Sequence, residues 1–141
     1  MPKVRNNYFG YSVRTPYKSE MEYFKKNPHV GGMAAEDGRI ILNPHSGLNM
    51  KQLRQVAINE AARLWMRDNK YVPKFGVSNK QRSFFSGSPY EGNDDAIRQT
   101  ILGRILSGDS SAGDVTDQQR LESDYIRKMM IRDAWRKKKN L

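Results

Sequence analysis

Cysteine is absent from the 141 residues, which excludes disulfides and thiolate metal sites. Long apolar runs are missing as well. No stretch approaches the ~20 residues that a membrane-spanning helix requires, and Met1-Pro2-Lys3-Val4-Arg5 does not lead into the apolar core of a signal peptide. The expectation is a soluble protein with no membrane partner, kept in a cytoplasm unless an assembly carries it elsewhere. Apolar side chains are scarce, at 37% of the chain. One modest core fits this length, and so lean a composition leaves segments of the chain to pack on something else.

What is abundant is positive charge, and its placement says more than the net +10. Residues 1–26 hold six Lys/Arg and two Glu, and residues 124–141 hold seven Lys/Arg and two Asp. The residues between carry twelve basic and eleven acidic groups, so a near-neutral body has two basic ends. Such ends attract polyanions or acidic protein surfaces, or they serve as solvated tails that aid solubility. The C-terminal cations are Arg127, Lys128, Arg132, Arg136, Lys137, Lys138 and Lys139.

In residues 1–18, Tyr8, Phe9, Tyr11 and Tyr17 lie among polar and basic residues without helical or strand period. Two readings fit. One is a platform for single-stranded nucleic acid; the favoured one is an extended arm laid on a neighbouring subunit, with Tyr8, Phe9 and Tyr11 as anchors.

Helix-start chemistry recurs along the chain. Ser19-Glu20-Met21-Glu22 reads as a capping box that Asn27-Pro28 closes off. Asn49 caps a helix over 50–69 with the apolar stripe Leu53, Val56, Ala57, Ala61 and Leu64. Ser78 opens a short helix carrying Phe84 and Phe85, Asn93 opens 94–107, and Thr116 opens a last helix to the basic end. Between the first two helices, Glu36-Asp37-Gly38 is a hairpin turn joining Val30–Ala35 to Arg39–Leu42. Gly31-Gly32 reads as a strained strand start or as a point of close approach.

The centre of the 50–69 helix is Asn59-Glu60-Ala61-Ala62-Arg63. With His at both outer positions it would be H-E-x-x-H, the helical zinc motif in which two imidazoles on one face grip zinc and the Glu activates its water. The preceding strand and loop, Arg39-Ile40-Ile41-Leu42-Asn43-Pro44, resemble the context of that motif in small hydrolases of the zincin type. The chemistry does not follow. Asn59 is not a usual zinc ligand, and a guanidinium at Arg63 repels the cation. His29 and His45 lie upstream, outside helical spacing. The expectation is no catalytic residue, no metal and no cofactor, with Glu60 and Arg63 forming an i,i+3 ion pair. A binding role for Asn59, Glu60 and Arg63 as a degenerate site is the alternative. Ser107–Asp114 lacks the Gly-Lys-Ser/Thr of a phosphate loop and reads as a helix cap and turn.

Three stretches together, Asn27–Arg39, Asn59–Arg63 and Thr100–Asp109, resemble a family of small, little-characterised proteins encoded by tailed bacteriophages. The likeness covers roughly residues 20–119 and leaves the basic ends outside. It brings no catalytic residue to carry over. It implies phage origin and, by analogy, a virion or assembly role.

The expected fold is α+β and mostly helical, with four or five helices, one small β-hairpin and a zincin-like central helix. The expected organisation is an extended arm over 1–18, one globular domain over 19–132 and a basic tail over 133–141. Removing both ends should then leave a folded body. The expected function is that of a non-catalytic structural or assembly protein. It is present in several copies, docks on other virion proteins through its termini, and resides in the host cytoplasm before assembly. The rivals are a nucleic-acid-binding accessory protein that uses the basic C-terminal helix, and a degenerate zincin-type hydrolase.

Overall fold

The computed structural model describes residues 5–109 and 114–139. Among them are five helices and a four-stranded sheet, a mostly helical α+β arrangement. The strands are β1 (Asn7–Tyr8), β2 (Tyr11–Arg14), β3 (Gly32–Ala34) and β4 (Ile40–Leu42), in the order β1-β2-β4-β3. The helices are α1 (Lys18–Lys26), α2 (Met50–Asp68), α3 (Asn79–Phe84), α4 (Asp94–Ser107) and α5 (Asp117–Lys139).

The β3–β4 hairpin forms as its turn chemistry requires. Ala34 pairs with Ile40, and Gly38 takes the left-handed conformation at φ 82°. Successive residues of β4 point to opposite faces, so each of its isoleucines serves a different core. Ile40 joins the main core with Ala57, Ala61 and Leu64, while Ile41 packs with Phe24 of α1 and Ala35. Gly31 and Gly32 are a close approach rather than a strained start. A Cβ on Gly32 would sit 2.6 Å from the Ile41 carbonyl and 2.9 Å from Val56 of α2.

The N-terminal segment corrects the sequence reading. Residues 7–14 are two strands of the sheet, and β2 runs parallel to β4 through Val13 and Ile40. The turn of this first hairpin is Phe9-Gly10, both at positive φ, and the Gly10 N–H donates to Asn7 Oδ1 at 2.9 Å. Tyr8 and Tyr11 are core residues, 7% and 5% exposed. Their alternation with polar neighbours is too short to register as a strand period. Residues 7–14 are therefore part of the sheet rather than a detachable arm. The C-terminal boundary moves as well, because α5 runs unbroken to Lys139 and residues 133–139 are helix rather than tail. Residues 1–4, 110–113 and 140–141 of the expected arm, turn and tail lie outside the described residues.

The first helix begins at Lys18, a little before the expected Ser19 cap. Glu20, not Glu22, reaches back to accept the Tyr17 N–H at 2.7 Å. Arg14 of β2 fixes that choice: it holds Glu20 through two bonds of 2.8 and 2.9 Å, meets Asp37 at 3.0 Å and stacks 3.8 Å from the Tyr17 ring. One guanidinium thus ties a strand, a helix start and the β3–β4 turn together.

The central helix α2 packs against the sheet on one side and α4 on another, and α5 packs on α4 and reaches α2 through the Trp65–Asp133 bond. This explains why its buried set is wider than one stripe: Ala57, Glu60, Ala61, Ala62, Leu64, Trp65 and Met66 are all buried. Leu53 and Val56 are half-buried near its start. In the same way α4 buries Ile97, Thr100, Ile101, Leu102, Gly103 and Leu106, on more than one side. Phe85 enters the core, while Phe84 stays exposed.

Candidate functional site

Asn59, Glu60 and Arg63 share the middle of α2, and each has a partner or a packing role within the fold. Asn59 marks the crossing of α2 and α4. A Cβ on Gly103 would fall on Asn59 Oδ1, so the two helices approach through a side-chain-free position. The Asn59 Oδ1 atom is buried there with no hydrogen-bond partner. Glu60 is buried on α2, which packs against β3. Burial pushes the Glu60 carboxyl above its ordinary range, while Arg63 and the Ala34 N–H oppose that rise. Arg63 lies 3.9 Å from Glu60, at i,i+3 spacing. Its Nη2 also donates to Thr100 Oγ1 at 3.2 Å and to Tyr90 Oη at 3.4 Å.

A strand and a loop precede the helix, as β4 and residues 43–49. Of the three residues, Arg63 is the one bonded across elements, to Thr100 of α4 and Tyr90 of the 85–93 loop, while Asn59 packs on Gly103. His29 and His45 are both exposed, in the turn after α1 and in the β4–α2 loop. Their neighbourhood is organised by Asn43, whose side chain donates to the Val30 carbonyl at 2.7 Å and accepts the His45 N–H at 2.8 Å. Among the described residues no group of three His, Asp or Glu gathers to hold a metal ion.

The expected interaction residues divide. Tyr8 and Tyr11 face inward, and the Tyr11 hydroxyl donates to Asp68 of α2 at 2.9 Å. Burial, then this bond, raise the Tyr11 pKa well above the ordinary phenol range. Phe9 is half-buried at the hairpin tip. Arg127 turns back to the Leu106 carbonyl at 3.0 Å, so it fastens α5 to α4. Lys128, Arg132, Arg136, Lys137, Lys138 and Lys139 are exposed along α5.

The outward face of α5 is what sequence reasoning missed. Leu121, Tyr125, Ile131 and Trp135 are exposed at 70%, 56%, 53% and 62%, while Gln119, Ser123, Ile126 and Met130 are buried. The inward side thus includes polar residues and the outward side several of the largest apolar ones, the reverse of a solvent-facing helix. Charge is segregated along the same helix. Residues 117–125 hold three acids and Arg120, whereas residues 126–139 hold seven cations and Asp133.

Leu121 and Tyr125 border a cleft of about 390 Å³ with Lys74, Phe75, Gln118 and Glu122. Glu122 stiffens it by accepting the Tyr71 hydroxyl at 2.7 Å and the Lys74 N–H at 2.7 and 3.0 Å. A second groove, of about 550 Å³, lies between the β1–β2 tip and the last turns of α5. The signal for this face was present in the spacing of Leu121, Tyr125, Ile131 and Trp135, but only the positions of α4 and the sheet decide which side of α5 faces outward.

No helix of the described residues is long and apolar enough to cross a membrane. Comparison with protein families, curated proteins and solved structures finds no match to this chain.

Proposed function

We propose that this protein is a non-catalytic structural or assembly component of a bacteriophage virion, carried in several copies, which docks on another virion protein through the first half of α5. The observation that carries the reading is the exposure of Leu121 and Tyr125 beside a stiffened cleft. Contiguous exposed apolar surface rimmed by polar groups marks interaction sites. The sequence resemblance to small tailed-phage proteins supplies the setting.

The docking element moves from the termini to this face because Tyr8 and Tyr11, the anchors expected of an arm, are committed to the core. The bonds of Arg63 to Thr100 and Tyr90, with its ion pair to Glu60, support a structural role for this pair over a degenerate hydrolase. The protein would reside in the host cytoplasm until assembly. Quantitative mass spectrometry of purified particles tests the proposal. The expected result is this chain in every preparation, at a fixed ratio to the major capsid protein and resistant to a high-salt wash. Its absence from washed particles would refute the assignment.

A further inference from the structure

The basic half of α5 and the first hairpin form a surface with different chemistry from the docking cleft. Gly10, at the hairpin tip, abuts the helix; a Cβ there would lie 3.3 Å from Ala134 Cα and 3.0 Å from Lys137 Cδ. This close approach sets the wall of the 550 Å³ groove, which Arg5, Phe9, Ile131, Trp135, Lys137 and Lys138 line. Every charged residue of that lining is a cation. The nearby carboxylates are already engaged: Asp133 accepts from Trp65 Nε1 at 2.9 Å and meets Arg132 at 3.3 Å, and Asp68 accepts from Tyr11. The cations also lie over rings, Lys137 Nζ 3.8 Å from the Tyr11 centroid and Lys139 Nζ 5.0 Å from that of Trp135.

We infer that this groove binds single-stranded nucleic acid, with Trp135 as the stacking platform and Arg5, Lys137 and Lys138 along the phosphates. A strand presents a flat base and an anionic phosphate in alternation, and the groove presents an exposed indole beside cations. Stacking on Trp135 requires a base whose face is uncovered, which a duplex does not offer. A carboxylate-rich protein segment would match the cations but would leave the indole without a partner of its own kind. The inference does not rest on the particle-docking reading, because Leu121 and Tyr125 lie on the other half of α5.

Purified full-length protein should be titrated into a fluorescein-labelled oligothymidylate of about 16 nucleotides, the upper end of single-strand site sizes. Anisotropy and tryptophan emission are followed together. Trp65 is buried and Trp135 exposed, so quenching on binding reports Trp135. The expected result is binding accompanied by quenching. Trp135→Ala should weaken it about tenfold with an unchanged melting temperature, and Trp135→Tyr should restore most of the loss. Lys138→Ala should lower the salt dependence by about 0.7 in the log–log slope for its one lost phosphate contact. The inference is overturned by absent binding at low salt, or by Trp135→Ala binding as well as the parent. It is equally overturned if a duplex of the same length binds as tightly. Displacement of the oligonucleotide by poly-glutamate at matched charge would also overturn it, in favour of an acidic protein partner.

Discussion

Gln81 and Gln119 each occupy the N3 position of a helix and bond to one another in both directions, Nε2 to Oε1, at 2.8 Å each way. Each amide oxygen also accepts the N–H of its own capping residue, from Ser78 at 3.1 Å and from Thr116 at 3.0 Å. The remaining amide hydrogens go to the Asp114 and Gly76 carbonyls, both at 3.0 Å. Two helix caps are thereby fused back to back in a fully buried position, which fixes the start of α5 and hence the presentation of Leu121.

Removing either amide should strand the other. Gln81→Ala or Gln119→Ala is expected to cost about 1–3 kcal/mol in urea unfolding, the penalty of a buried unpaired polar group. The double variant should cost less than the two losses added, with a coupling of about 0.5–3 kcal/mol. Strict additivity would mean that the two caps act separately.

The crossing of α2 and α4 gives a prediction whose sign depends on the background. Gly103→Ala should destabilise the parent by about 1–3 kcal/mol, because the new methyl would fall on Asn59. In an Asn59→Ala background that obstacle is gone, and the higher helix propensity of Ala over Gly, about 1 kcal/mol, should make Gly103→Ala stabilising. Thermal unfolding of the four proteins decides it, and a loss of the same size in both backgrounds would place the crossing elsewhere.

Two carboxylates give opposite pH dependence. Arg14, through its bonds to Glu20, holds that carboxyl below its ordinary range, so its stabilisation is complete above that range and is lost as pH falls through the folded value. Burial raises Glu60, which makes the folded state prefer its protonated form, so this group reduces stability as pH rises from the ordinary carboxyl range through the folded value. Melting temperatures followed from acid to neutral pH should therefore respond in opposite ways to two variants. Glu20→Gln should lose stability chiefly at neutral pH, while Glu60→Gln should hold or gain stability there.

The helix starts at Asn49, Ser78, Asn93 and Thr116 were legible in the sequence because their chemistry is local, whereas the first, capped by Tyr17, was read two residues late. Asn49 accepts the Gln52 N–H and Asn93 accepts the Ala96 N–H, both within three residues of chain. The β3–β4 hairpin was legible for the same reason, since Asp-Gly sets its own turn. The first hairpin was not. Its strands are two and four residues long, and its turn puts Phe9, a residue that seldom adopts positive φ, at 55°. Pairing with β4 and burial of Tyr8 and Tyr11 stabilise it, and both are long-range effects. Of the candidate site, the Glu60–Arg63 spacing was visible, but Gly103, on which Asn59 packs, and Tyr90 and Thr100, to which Arg63 bonds, lie on other elements.

Because Tyr8 and Tyr11 belong to the core, deleting residues 1–18 should abolish cooperative unfolding rather than leave a folded body. Far-ultraviolet and near-ultraviolet circular dichroism of the truncated chain check this. Retention of a sharp thermal transition would return these residues to the status of an arm.

The proposed docking on a virion runs through Leu121 and Tyr125. The most direct measurement is the chain's abundance, by mass spectrometry, in particles assembled when the only source of the protein is the Leu121→Glu/Tyr125→Glu variant. Both side chains are exposed, so the variant should keep the parent's melting temperature. The parent should be present in salt-washed particles and the variant lost from them. Incorporation of the folded variant at the parent's level would contradict it.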